Sequence, residues 1–172
     1  MTAGVMSELT PESQSDSSTE FTHLDPHGAA RMVDVSAKDV SVRTATASGR
    51  VLVSAEVVTL LRAGEVPKGD ALAVARIAGI QAAKRTPDLV PLCHPIAIHA
   101  VSVDLEVNDD HVSITAMVRT ADRTGVEMEA LTCVSVAGLA LIDMVKAVDP
   151  AATISDVRVE TKTGGKSGDW HR

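Results

Sequence analysis

The chain has 172 residues, 45% of them hydrophobic, which suits one ordinary domain burying roughly 70% of its unfolded surface. A formal charge of -7, one Phe, one Trp and no Tyr argue against nucleic acid as a partner, since that partner needs a basic face and, when single-stranded, stacking platforms. The two cysteines, Cys93 and Cys133, form no CxxC pair, no secretory signal pattern is present, and no run approaches the ~18 apolar residues of a membrane span, so a cytoplasmic chain without disulfides or membrane contact is expected.

Residues 1–22, "MTAGVMSELTPESQSDSSTEFT", are rich in Ser, Thr, Glu and small residues, and read as a disordered tail ahead of a single domain over 23–172. "MVDVS" at 32–36 reads as an extra N-terminal strand. "VSVRTATASGRVLVS" then alternates apolar or β-branched residues with polar ones, as a half-buried strand does, with Gly49 marking a bulge or a turn. Ser54 is placed to cap a helix over "AEVVTLLRAG", closed by Gly64. Asp70 is placed to cap a second helix, "ALAVARIAGIQAAKR", whose terminal cations suit the negative end of its dipole.

After "DLVPLCHP", the runs "IAIHAVSVDLEV" and "HVSITAMVRT" flank "NDD" and predict an antiparallel hairpin. The longest helix is expected from about Glu127 to Val148, stopped at Asp149-Pro150, and "TISDVRVET" supplies a last strand. This order, β-α-β-β-α-β, is that of an α+β, ferredoxin-like fold with helices on one face of an antiparallel sheet. Many functions share that fold, so chemistry must be read from side chains.

The long helix carries Glu127, Glu129, Asp143 and Lys146 among apolar and small residues. Seven-residue spacing puts Glu129, Val136 and Asp143 on one stripe, and Lys146 lies one turn beyond Asp143, within reach of it. A solvated face explains such charges on an ordinary helix, yet "ALTCVSVAGLALI" is apolar or small nearly all round and suggests burial on most sides. Fourteen residues at about 1.5 Å each separate Glu129 from Asp143 by roughly 21 Å, so one small molecule cannot touch both in one chain. If both act on one ligand, the ends of two antiparallel helices must meet across a two-fold axis, which predicts an oligomer with interfacial sites.

His94 sits between prolines in "PLCHP", structural or catalytic; Cys93 beside it is read as packing rather than as a nucleophile. No histidine spacing suggests a metal, and no cofactor is indicated. Lys68 in "VPKGD" and Lys162 in "KTGGKSGD" adjoin glycines that admit a ligand close to the backbone. Lys162 and Lys166 with those glycines could cradle phosphate, but Glu160 stands where the first glycine of a P-loop belongs.

Together, "MVDVS", "KGD", "ARIAGIQAAKRT", "DLVPLCHP", "TGVEMEALT", "DMVKA" and "KTGGKSGD" resemble the MoaC family, the cyclic pyranopterin monophosphate synthases of molybdenum cofactor biosynthesis. The likeness runs in order from about His23 to Asp169, leaving out the hairpin and His99. It implies a ferredoxin-like fold and a lyase that converts 3',8-cyclo-7,8-dihydro-GTP to cyclic pyranopterin monophosphate with release of pyrophosphate. It also implies a homohexamer, a trimer of dimers with active sites at the dimer interface. By the same resemblance the catalytic residues fall on Asp143, Lys68 and Lys146, and the substrate-binding ones on Leu92, Cys93, His94, Glu127, Met128, Glu129 and Lys162.

The residue types suit that chemistry. Ring opening and closure need several proton transfers, and loss of pyrophosphate from a polyanion needs cations. Lys68 is then an acid/base group, Lys146 a proton donor placed by Asp143, and Lys162 and His94 phosphate contacts, with Glu127 and Glu129 accepting from the guanine-derived edge. A free lysine, near 10.4, is too basic for this unless its surroundings lower it, and Asp143 favours the charged form of Lys146. A ligand-binding module without chemistry, or an RNA-binding module, would explain the fold but not these charges.

Overall fold

The computed structural model describes residues 24–25, 27–166 and 168–172; the expected disordered tail, 1–22, lies outside the described residues. The chain forms two units, Met1–Arg31 and Met32–Arg172. In the first, Asp25 Oδ1 accepts from the N–H groups of His27 and Ala29, each at 2.8 Å, and Leu24 bridges to Ala30.

The second unit contains β1 (Ser41–Leu52), α1 (Ala55–Ala63), α2 (Ala71–Ala83), α3 (Thr86–Leu89), β2 (Ile98–Val107), β3 (His111–Asp122), α4 (Glu127–Val145), β4 (Thr153–Thr163) and β5 (Trp170–His171). The strands form one open antiparallel sheet in the order β2-β3-β1-β4-β5. The local signals read above operate as such: Ser54 Oγ accepts from Val57 N–H, Gly64 closes α1 in the left-handed region, and Asp70 accepts from Ala73 N–H to start α2. The 108–110 turn joins the expected hairpin.

Alternation along the strands produces the core. Ala45, Ala47 and Val51 of β1 and Val112, Ile114, Ala116 and Val118 of β3 are buried in one cluster with Val57, Leu61, Ala75, Ala130, Val134 and Leu141 of the helices. Small residues bring α4 against both neighbours. A Cβ on Gly79 of α2 would lie 2.9 Å from the Cys133 carbonyl oxygen of α4, and one on Gly49 of β1 would lie 2.7 Å from Val134 Cγ1. Gly49 thus marks a close approach within one continuous strand, beside a register shift in the β1–β4 pairing.

Two expectations need correction. Residues 32–36 form no strand: Asp34 Oδ1 accepts from Ser36 N–H at 2.8 Å, and Lys38 N–H reaches Val35 O at 3.0 Å, so local side-chain bonding turns the backbone away from a ladder. The fifth strand is instead β5, at the other end of the chain. Second, α4 is long and apolar enough, by length and composition, to cross a membrane, although no such run is obvious from residue identity alone; 56% of its apolar window is buried in the molecule, which makes it the core helix. The helix layer nevertheless leaves Val74 and Ile77 of α2 and Met128 and Leu139 of α4 exposed.

Candidate active site

The candidate residues gather at the two ends of α4. At its C-terminal end, Asp143 Oδ2 accepts from Lys68 Nζ at 2.9 Å and Asp143 Oδ1 from Lys146 Nζ at 2.6 Å. Lys68 arrives on the turn before α2, where Gly69 takes a positive φ of 104° and donates to Val66 O, while Lys146 is the C-cap of α4. The hydrogen bond from Lys146, then that from Lys68, holds the Asp143 carboxyl down at about 2, so it is an anion throughout the neutral range. Its side chain is 56% exposed, which corrects the expectation of a charge buried in the helix.

The buried carboxylate is at the other end. Glu129 is only 3% exposed, and burial pushes it up to about 7, with the charge of Glu127 adding to the effect. It would exchange a proton near neutrality. Burial also raises the Cys93 thiol, with Glu129 contributing, so Cys93 is a poor nucleophile; it is half-buried, not part of the packed core. Leu92 and Met128 are exposed nearby in sequence. Glu127 Oε1 pairs with Lys162 Nζ of β4 at 3.3 Å.

Two cavities adjoin at Thr124. One, of about 180 Å³, is walled by Lys38, Arg43, Glu127, Lys162 and Gly164 among others. The other, of about 490 Å³, is walled by the 32–36 segment, His94, Pro95 and Arg123. His94 Nε2 donates to Val33 O at 2.6 Å, which fixes the ring. Arg123 Nε donates to Lys38 O at 2.8 Å, which ties the chain just after that segment to the end of β3.

Lys68, Asp143 and Lys146 therefore form one group, and Glu127, Glu129, Lys162, Cys93 and His94 belong to the region of the α4 N-terminus. Glu129 and Asp143 are separated along α4 by roughly 21 Å, so a single protomer does not unite them. Sequence reasoning missed Lys38 and Arg43. Arg43 reads as an ordinary polar position in the alternation of β1; only the pairing of Thr44 with Thr163 brings it beside the glycines after β4. Among the described residues, no group of three or more His, Cys, Asp or Glu side chains is arranged to hold a metal ion.

Comparison with known proteins identifies the family. Residues 32–165 match the MoaC family. The cyclic pyranopterin monophosphate synthase of Nocardioides sp. is 71% identical over 161 residues, covering 92% of this chain and 99% of the relative. The enzyme of the same name from Streptomyces coelicolor is 70% identical over 157 residues, covering 91% and 92%. Cyclic pyranopterin monophosphate synthase 2 of Mycobacterium tuberculosis is 58% identical over 155 residues, covering 90% and 93%.

Proposed function

The chain belongs to the MoaC family, and we propose on that footing that it is a cytoplasmic cyclic pyranopterin monophosphate synthase of molybdenum cofactor biosynthesis. Its substrate is 3',8-cyclo-7,8-dihydro-GTP and its products are cyclic pyranopterin monophosphate and pyrophosphate. The observation that carries the reading is the Asp143 carboxylate gripping two ammonium groups, Lys68 at 2.9 Å and Lys146 at 2.6 Å, on the helix whose other end borders a cationic cavity. The antiparallel order β2-β3-β1-β4, with α2 and α4 as the two principal helices, fits a ferredoxin-like fold.

In this reading Lys68 and Lys146 exchange protons with the substrate's rings while Asp143 sets their spacing. Cyclic phosphate formation joins a substrate hydroxyl oxygen to the α-phosphorus and breaks the bond to the β-phosphate. The hydroxyl proton leaves to a base, and pyrophosphate departs against cationic groups. Lys38, Arg43 and Lys162 are placed for the phosphate oxygens, His94 for one more of them, and Glu127 and Glu129 for N–H donors of the guanine-derived edge. Leu92, Cys93 and Met128 line the site.

Because α4 holds the two groups roughly 21 Å apart, the site takes one end of α4 from each of two protomers. The exposed Val74, Ile77, Met128 and Leu139 supply an apolar face for that contact. Three such dimers make the hexamer. The test is incubation with the upstream substrate: release of pyrophosphate together with a pterin that oxidises to a fluorescent product supports the assignment, and turnover without either refutes it. A ligand-binding module without chemistry would bind the substrate and release nothing.

A further inference from the structure

The last four residues, Asp169 to Arg172, bear on how the cationic cavity is held in shape. Gly164 N–H donates to Asp169 Oδ1 at 3.0 Å, which closes the loop that follows β4. Trp170 then pairs with Lys162 and His171 with Thr161, so β5 lies back along the strand that carries Lys162. Arg172 completes the clasp: its N–H donates to Glu160 O at 2.9 Å, its Nε to Val159 O at 3.0 Å, and its guanidinium lies 5.6 Å from the centre of the Trp170 ring.

The loop closed in this way rests on the cavity wall. A Cβ on Gly164 would collide with the Val42 carbonyl oxygen, and one on Gly165 would collide with Arg43 Nη1. Bare backbone therefore lies against β1 and against the Arg43 guanidinium, which is also tied through Nε to Asp122 O at 3.0 Å. Both glycines have positive φ, 84° and 81°, a conformation that other residues adopt at a cost and that an anchor at the far side of the loop helps to maintain. Lys38, Arg43 and Lys162 set three cations against the single carboxylate of Glu127 around the same space.

We propose that Asp169 is a positioning residue for phosphate binding: with β5 it presses the Gly164–Gly165 backbone onto Arg43 and fixes the spacing of Arg43 and Lys162 around the phosphate oxygens. Asp169 does not itself touch the substrate, as a carboxylate beside a polyanion would repel it. The inference rests on the reading above that this cavity takes the phosphate end of the substrate.

The test compares the full chain with Asp169→Ala, with Asp169→Asn and with a chain ending after Asp169, by calorimetric titration with pyrophosphate and by steady-state turnover. Loss of one hydrogen bond that sets the loop is expected to weaken pyrophosphate binding and raise KM about ten-fold in Asp169→Ala, with kcat nearly unchanged. Asp169→Asn keeps an acceptor oxygen and should restore both values, while removal of β5 should mimic Asp169→Ala. Wild-type affinity for pyrophosphate in Asp169→Ala overturns the proposal, as does a fall in kcat and thermal midpoint with KM unmoved. If the parent protein turns over substrate yet binds no pyrophosphate, the proposal fails while the enzymatic reading stands. If the parent binds pyrophosphate without turnover, the enzymatic reading fails and the Asp169→Ala affinity still decides the proposal.

Discussion

Lys68 Nζ donates at once to the Asp143 carboxylate, at 2.9 Å, and to the backbone carbonyl of the same residue, at 2.8 Å. That carbonyl belongs to the last turn of α4, where carbonyls lack intrahelical donors and the dipole is negative. One lysine therefore both caps the helix and joins the candidate site.

Asp143→Asn tests the second role apart from the first, because it leaves the carbonyl contact and removes the charge. Pyrophosphate release should fall by about 10²–10⁴-fold, the usual worth of proton transfer by a positioned group, because Lys68 and Lys146 lose the carboxylate that spaces them. The thermal midpoint should scarcely move, since both ion pairs are solvent-exposed. A variant with near-parental turnover would remove Asp143 from the mechanism.

Glu129 predicts a pH dependence of stability. Its carboxyl is raised from an ordinary 4.5 to about 7 in the folded chain, so between those values the folded state holds a proton that the unfolded chain has released. Stability from this group therefore falls as pH rises through that window. Glu129→Gln should be more stable than the parent by about 1–3 kcal/mol at pH 8 and similar to it near pH 4, as read by denaturant titration. A parent and variant that differ equally at both pH values would show that Glu129 is not held protonated.

Mixing tests the shared site. Glu129→Ala and Asp143→Ala proteins, each inactive alone, should regain activity under subunit exchange, because half of the sites in a mixed dimer receive two intact helix ends. Random exchange at equal amounts predicts recovery of about a quarter of parental activity. No recovery, with exchange confirmed by mass, would place both groups in separate sites.

Gly79→Ala tests the packing of α2 on α4. In an exposed helix the change would stabilise by about 1 kcal/mol through helix propensity. Here the new Cβ lies 2.9 Å from the Cys133 carbonyl oxygen and 3.2 Å from Ala137 Cβ, so the helices must move apart. A net loss of about 1–2 kcal/mol in chemical denaturation is expected. A gain would mean that the interface yields more readily than its contacts imply.

Much of this molecule follows from residue order alone, for a physical reason. Ser54, Gly64 and Asp70 act through hydrogen bonds within a few residues of themselves, and the alternation of β1 and β3 expresses the two-residue period of a strand. The long helix, and the impossibility of one chain bringing Glu129 to Asp143, follow from a fixed rise per residue. The reach of Lys146 to Asp143 is likewise a one-turn relation.

Tertiary structure alone decided the rest, because burial and register depend on what the chain meets far away in sequence. It separated two acidic residues of the same stripe into a buried Glu129 and an exposed Asp143, carried Lys68 across 75 positions to that carboxylate, and set Arg43 under the glycines after β4. It also made a strand of Trp170–His171 rather than of 32–36. Composition resembles a strand in 32–36, but Asp34 bonds to its own neighbour's backbone, whereas β5 has the edge of β4 to pair with.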